Sequence, residues 1–186
     1  RYGRSRLGRG RAVLIEFVSA NPTGPLSVAH GRQAAVGDAL ARLLRAQGYR
    51  VSAEYYLNDE GRQIKLLGQS LRARYLEQLG RPEPFPEDGY RGDYVIADAE
   101  CLKESYHEKA TNRPLEWFVE WGIGSQLCEI KRDLARFGLR FDRWTSQRWL
   151  RTSGRIDRAL ATLRATGVLY EAEGATWFAS SKFGDD

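Results

Sequence analysis

Between residues 12 and 57 the spacing of apolar residues changes period twice, and this constrains the fold more than any other feature of the chain. Residues 12–18, AVLIEFV, are β-branched and apolar with a single acid, the composition of a strand buried on both faces of a parallel sheet. From Gly31 the period becomes helical. Val36, Leu40, Leu43 and Leu44 fall at i, i+4, i+7 and i+8, which predicts one apolar helix face, and Gly48 is placed to end the helix. Val51, Ala53, Tyr55 and Leu57 then alternate with polar neighbours, as a second strand does. Strand, helix and strand in about 45 residues form a βαβ unit, whose crossover is right-handed in nearly every known case.

The spacing next predicts a helix from about Glu60 to Leu79, with Ile64, Leu67, Leu71 and Tyr75 on one face. GRPEPFPEDGYRGD, residues 80–93, carries three prolines and cannot continue that helix. It reads as the joint to a second, mostly helical region. There Ile123, Leu127, Ile130, Leu134 and Phe137 make an amphipathic helix closed by Gly138. Phe141–Leu150 is expected to be extended, 153–166 helical, and 168–179 a hairpin turning at Glu173–Gly174. The organisation expected is half of a parallel α/β sheet in 1–80, a linker at 81–93, and an α-rich insertion with a short hairpin in 94–186.

Composition excludes several classes. With 42% hydrophobic and 28% charged residues the chain is of the globular type. No apolar stretch approaches the roughly 20 residues that cross a bilayer, so no membrane partner is expected. The basic start RYGRSRLGRGR is not followed by the apolar core of a signal peptide. The absence of methionine suggests a piece of something longer. Cys101 and Cys128 form no close-spaced metal or redox motif, so a reducing, cytoplasmic setting and no metal site are expected. A net charge of +5 and a pI near 9.4 permit nucleic-acid contact without demanding it. Arg1, Arg4, Arg6, Arg9 and Arg11, with no acid among them, read either as a solvated connector or as a phosphate-contacting arm.

The chemistry-bearing stretch is SANPTGPLSVAHGRQ, residues 19–33, at the elbow between the first strand and its helix. Open parallel sheets bind ligands beyond the carboxyl ends of their strands. A helix start presents unpaired N–H groups and a positive dipole end, both suited to phosphate. Gly24 and Gly31 let backbone approach a ligand, Pro22 and Pro25 stiffen the loop, and His30 is placed to hydrogen-bond a phosphate. The loop has neither a dinucleotide glycine fingerprint nor a GK[ST] ending. The residues by themselves therefore read only as a nucleotide-binding α/β domain.

IEFVSANPTGPLSVAHGRQAAVGDALARLL resembles the first strand, active-site loop and helix of arginyl-tRNA synthetase, a class I aminoacyl-tRNA synthetase, including its form of the HIGH motif. EYYLNDEGRQI, EIKRDLARFGLRFDRW and GATWFASSKFGDD resemble later parts of the same catalytic region, so the likeness runs from about Val13 to Asp186. It implies a Rossmann-like catalytic domain that joins ATP, with Mg2+, to arginine as an adenylate and passes the arginyl group to tRNA. No tightly bound cofactor is implied. By position, Ser19 and Asn21 hold the ammonium group of arginine, and Ala20, Asn21, Pro22, Thr23, Gly24, Pro25, Leu26, Ser27, Val28, Ala29, His30 and Gly31 line the ATP, with Ser27 and His30 at the catalytic positions.

Three positions depart from the family. It normally has histidine at Ser27 and glycine at Ala29, and losing one transition-state donor costs on the order of 100- to 1,000-fold in rate. It also carries glutamate where this chain has Gln147, the expected partner of the arginine guanidinium, unless the register shifts or another acid compensates. No KMSK-like loop, second half of the sheet or helical anticodon-binding domain is found, so this chain is expected to need the rest of the synthetase. The alternative is a non-catalytic, diverged paralogue that binds nucleotide or tRNA. His107 reads as structural, Trp117, Phe118 and Trp121 as core, and Asp98, Glu100 and Glu104 as a solvated acidic face.

Overall fold

The computed structural model describes residues 2–185; Arg1 of the basic cluster and Asp186 lie outside them. The chain divides into two compact units, Arg1–Ser146 and Gln147–Asp186. The first begins with β1 (Ala12–Glu16), α1 (Val28–Ala46) and β2 (Arg50–Leu57). Three further helices follow, α2 (Arg62–Gln78), α3 (Asp93–Tyr106) and α4 (Leu115–Arg136), before the chain returns as β3 (Arg143–Ser146). The sheet is parallel in the order β1-β2-β3, with Val13 opposite Val51 and Tyr55 opposite Trp144. The short RWTS segment is thus its third strand, and the whole helical insertion is the crossover between β2 and β3.

The expected apolar face of α1 is not the one it buries. Ala34, Gly37 and Ala41 are buried, whereas Val36, Leu40 and Leu43 are 63%, 46% and 63% exposed. Small residues win the contact because they let the helix sit directly on β1: a Cβ on Gly37 would lie 2.2 Å from the Phe17 ring. Around that contact Val18, Ala34, Tyr55, Leu57, Ile130 and Leu134 form one core. Tyr55 stacks on Trp144 with ring centroids 4.2 Å apart. On the opposite sheet face Leu14 is exposed.

The insertion is a helical bundle joined to the sheet rather than a body beyond the linker. Ile64, Leu67, Leu71 and Tyr75 are buried on α2, as their period predicts. Helices α2 and α4 approach through paired glycines, Gly68 against Val119 and Gly122 against Leu67 and Leu71. Phe118 is fully buried with Trp117 and Trp121 packed nearby, in line with a core role. Asp98 departs from the expected acidic face: it is buried, accepting hydrogen bonds from Ser125 Oγ (2.6 Å) and Gln126 Nε2 (2.7 Å). Glu100 and Glu104 are exposed. His107 is the C-cap of α3, and its carbonyl accepts a bond from the Tyr75 hydroxyl.

In the second unit Gln147–Leu150, expected to be extended, instead belong to a short helix, α5 (Gln147–Thr152). Helix α6 (Arg155–Ala165) follows, then a hairpin of β4 (Leu169–Ala172) and β5 (Ala175–Phe178). Glu173 (φ 53°) and Gly174 (φ 75°) are both left-handed, the geometry that a tight hairpin turn requires. Among the described residues no helix is long and apolar enough to cross a membrane.

Candidate active site at the first strand-to-helix elbow

The backbone leaving β1 is unusual before any side chain is considered. Val18 (φ 68°) and Ser19 (φ 41°) are consecutive non-glycine residues in the left-handed region. For a β-branched residue this is a true outlier, costing on the order of 1–3 kcal/mol, and it persists only where surroundings impose it. Here they do. The buried Tyr55 hydroxyl donates to the Ala20 carbonyl at 2.8 Å. Tyr94, from the first turn of α3, donates to the Thr23 carbonyl at 2.7 Å. Asn21 Nδ2 donates to Gln63 Oε1 at 2.6 Å, tying the loop to α2 as well.

Helix α1 begins at Val28, three residues before the expected Gly31, because Ser27 takes the extended conformation of an N-cap (φ −96°, ψ 170°). Gly31 therefore lies within the first turn, its N–H bonded to the Ser27 carbonyl at 3.0 Å. His30 sits at the third helical position, and its Nδ1 accepts the Ser27 backbone N–H at 3.0 Å. The same nitrogen lies 3.1 Å from Ser27 Oγ. A backbone N–H can only donate, so Nδ1 is the acceptor and the ring's N–H is at Nε2. This is a capping box with histidine in the place usually held by Glu or Gln. The first turn carries no acidic side chain.

These elements surround a cleft of about 440 Å³ lined by Ala20, Asn21, Thr23, Gly24, Pro25 and His30 of the loop, with Tyr90 and Tyr94 from the insertion. Six of the twelve elbow residues expected along Ala20 to Gly31 border this cleft, and Ser27 is not among them. Pro22 is buried beneath the loop, while Ser27, Val28 and Ala29 are exposed at the helix start. Ser19 is engaged: its hydroxyl donates to Glu16 Oε1 and accepts the Tyr56 N–H at 3.0 Å. Gln147 is the first residue of α5 in the second unit. Of the basic cluster, Arg11 is committed to Tyr49, with Nη2 3.0 Å from its hydroxyl, while Arg4, Arg6 and Arg9 are exposed.

Sequence reasoning missed three contributors. Tyr55 was placed only as a strand residue, and burial raises its phenol well above the ordinary value. Tyr94 is 71 residues from its loop partner, beyond any local pattern. Glu16 is the lone acid in AVLIEFV, and that interruption of an apolar strand was the available signal.

A family profile described as "tRNA synthetases class I (R), catalytic domain" matches residues 1–112. The chain is 48% identical over 189 residues to the arginine–tRNA ligases of Geobacillus thermodenitrificans and Bacillus subtilis, covering 100% of this chain and 34% of each relative. It therefore spans about a third of the length of the curated relatives it matches. A Campylobacter jejuni crystal structure assigned as an arginyl-tRNA synthetase superposes with a TM-score of 0.86 at 33% identity, covering 100% of this chain and 41% of that one. The Thermus thermophilus arginyl-tRNA synthetase shares the fold at a TM-score of 0.61 and 23% identity, over 96% of this chain and 31% of that one. With the family profile matching residues 1–112 and full-length coverage of this chain at 48% identity, the chain belongs to the class I arginyl-tRNA synthetase catalytic-domain family.

Proposed function

We propose that this chain supplies the ATP- and arginine-holding part of an arginine–tRNA ligase, with the rest of the polypeptide completing the reaction. The arginine carboxylate attacks the α-phosphorus of ATP, the bond to the bridging oxygen breaks, and pyrophosphate leaves. ATP enters as substrate with Mg2+, which neutralises phosphate charge. The arginyl group then passes to tRNA, and the setting is the cytoplasm.

The observation that carries this reading is the hydrogen bond that the Ser27 backbone N–H donates to His30 Nδ1. With Nδ1 occupied by Ser27, the ring has one donor left, Nε2–H, on a residue that lines the cleft at the positive end of α1. That is a donor for a phosphate oxygen. At the other end of the loop, Asn21 Nδ2 is bound to Gln63, which leaves Asn21 Oδ1 as an acceptor. An ammonium group has only donors, so Oδ1, together with the Glu16 carboxylate beside Ser19, suits the α-amino group of arginine. Gln147 remains the proposed guanidinium partner.

The test is arginine-dependent exchange of pyrophosphate into ATP by the full-length protein, with tRNA present. His30→Ala is expected to lower the rate on the order of 100- to 1,000-fold. A rate within twofold of the unsubstituted protein would remove His30 from the chemistry and the reading with it. Ser27, standing where the family has histidine, favours the second reading of a non-catalytic binding module. No exchange by the full-length protein, with ATP still bound, would decide for that module.

A further inference from the structure

The elbow is held from two directions that differ in kind. Tyr55 comes from β2, inside the nucleotide-binding core, and fixes Ala20. Tyr94 comes from the insertion and fixes Thr23. Its ring is seated between two glycines. A Cβ on Gly24 would lie 3.1 Å from ring Cζ and the hydroxyl oxygen, and one on Gly92 would lie 2.5 Å from Cε1. Burial, with Tyr90 and Asp98 nearby, pushes the phenol up to about 12, so it remains a donor through neutral pH. From Tyr94 the insertion is fixed further along α3, where Asp98 receives bonds from Ser125 and Gln126 of α4.

We propose that Tyr94 is a positioning residue for the elbow, through whose hydroxyl helix α3 sets the backbone of Thr23 and Gly24 and so the triphosphate-facing side of the cleft. The physical need is plain. Val18 and Ser19 hold the loop's entry in a conformation that it would leave if unanchored. Thr23 N–H bonds only two residues back, to the Asn21 carbonyl at 2.8 Å, a tight turn that does not by itself fix where the Thr23 carbonyl points. The Tyr94 bond does that. The amino-acid end, Ser19 to Asn21, has its own anchors in Glu16, Tyr56 and Gln63. Loss of Tyr94 therefore acts on one end of the cleft only.

This inference rests on the elbow being the ATP site, and its test separates the two. In the full-length protein, Tyr94→Phe keeps the ring and removes the donor, while Tyr94→Ala removes both. One net hydrogen bond corresponds to a factor of about five to ten. Tyr94→Phe is expected to lower kcat/KM for ATP in pyrophosphate exchange by that factor, leaving the KM for arginine within twofold. Hydrogen exchange of the backbone over residues 20–26 is expected to quicken by a similar factor. Wild-type values in both measurements for Tyr94→Phe, with only Tyr94→Ala impaired, would assign the role to ring packing and overturn the proposal. Equal changes for ATP and arginine would overturn it too, as general loosening. Should the unsubstituted protein show no exchange reaction, the catalytic reading falls, and hydrogen exchange alone decides: faster exchange in Tyr94→Phe supports the anchor, and unchanged exchange refutes it.

Discussion

Replacing glycine by alanine at two positions in the helical bundle should move stability in opposite directions. Alanine is favoured over glycine within a helix by about 1 kcal/mol. Gly124 of α4 is exposed, and a Cβ there meets nothing within 4 Å. Gly124→Ala is therefore expected to stabilise by about 0.5–1 kcal/mol. Gly68 of α2 is different. A Cβ there would lie 2.4 Å from Val119 Cγ2, 2.9 Å from Val119 N and 3.0 Å from Val119 Cα. Ordinary carbon contacts begin near about 3.5 Å. Turning the valine side chain relieves only the first clash, because the other two atoms are backbone, so the helices must part. Overpacking of that kind costs about 1–3 kcal/mol, and a backbone-limited case belongs at the upper end. After the propensity gain, Gly68→Ala should destabilise by about 2 kcal/mol, a shift of about 1 M in a urea midpoint. Trp117 and Trp121 flank Val119 on α4, so fluorescence reads the contact directly. Equal midpoint shifts for the two variants would refute the claim that α2 and α4 touch through glycine. The contact bears on the site, since α2 carries the Gln63 that holds Asn21.

Three further outcomes can be checked. Tyr55→Phe keeps the stack on Trp144 but leaves the Ala20 carbonyl buried without its donor, and should cost about 1–3 kcal/mol in denaturant unfolding; a loss below about 0.5 kcal/mol would mean the carbonyl finds water. The Asp98 carboxyl is raised above its ordinary value chiefly by burial, so the folded chain binds its proton more tightly than the unfolded one. Its contribution is then greatest at low pH and is lost as pH rises through the folded value. Asp98→Asn, whose amide gains an acceptor in the unpartnered Gln126 Oε1, should become more stable relative to the unsubstituted chain as pH rises above about 4, followed by Tm against pH; a gap independent of pH would count against a buried charge. Finally, Ser27→His should raise the rate of pyrophosphate exchange while lowering Tm by about 2–4 °C, because histidine caps α1 less well than serine. An unchanged rate would mean that serine already serves.

What was legible in the sequence followed from how local each cause is. The βαβ unit, the apolar face of α2 and the elbow loop were readable because period and turn chemistry act within a few residues. The buried face of α1 was not. Hydrophobicity points to Val36, Leu40 and Leu43, yet the contact uses Ala34, Gly37 and Ala41, since close approach to Phe17 is worth more there than side-chain bulk. That Arg143–Ser146 is extended was legible, but its place as the third parallel strand was not, because it owes that to pairing with β2. At the site, His30 was found but its coupling to Ser27 was not, because a capping box with histidine at its third position lacks the usual Glu or Gln signal. Tyr94 was invisible for a simpler reason: nothing local links it to Thr23.

The left-handed pair at Val18 and Ser19 also orders events in time. That backbone shape is unfavourable until the phenols arrive, and they come from 35 and 71 residues away along the chain. Long separations close late, because the entropy of loop closure must be met before such contacts reward it. The mouth of the sheet is therefore expected to set last during refolding, after both the strands and the bundle have docked. A half-folded chain would hold most of its secondary structure and still lack the shaped cleft at the elbow. Pulse-labelled hydrogen exchange would reveal this as protection reaching residues 19–24 only after β2 and α3 are protected.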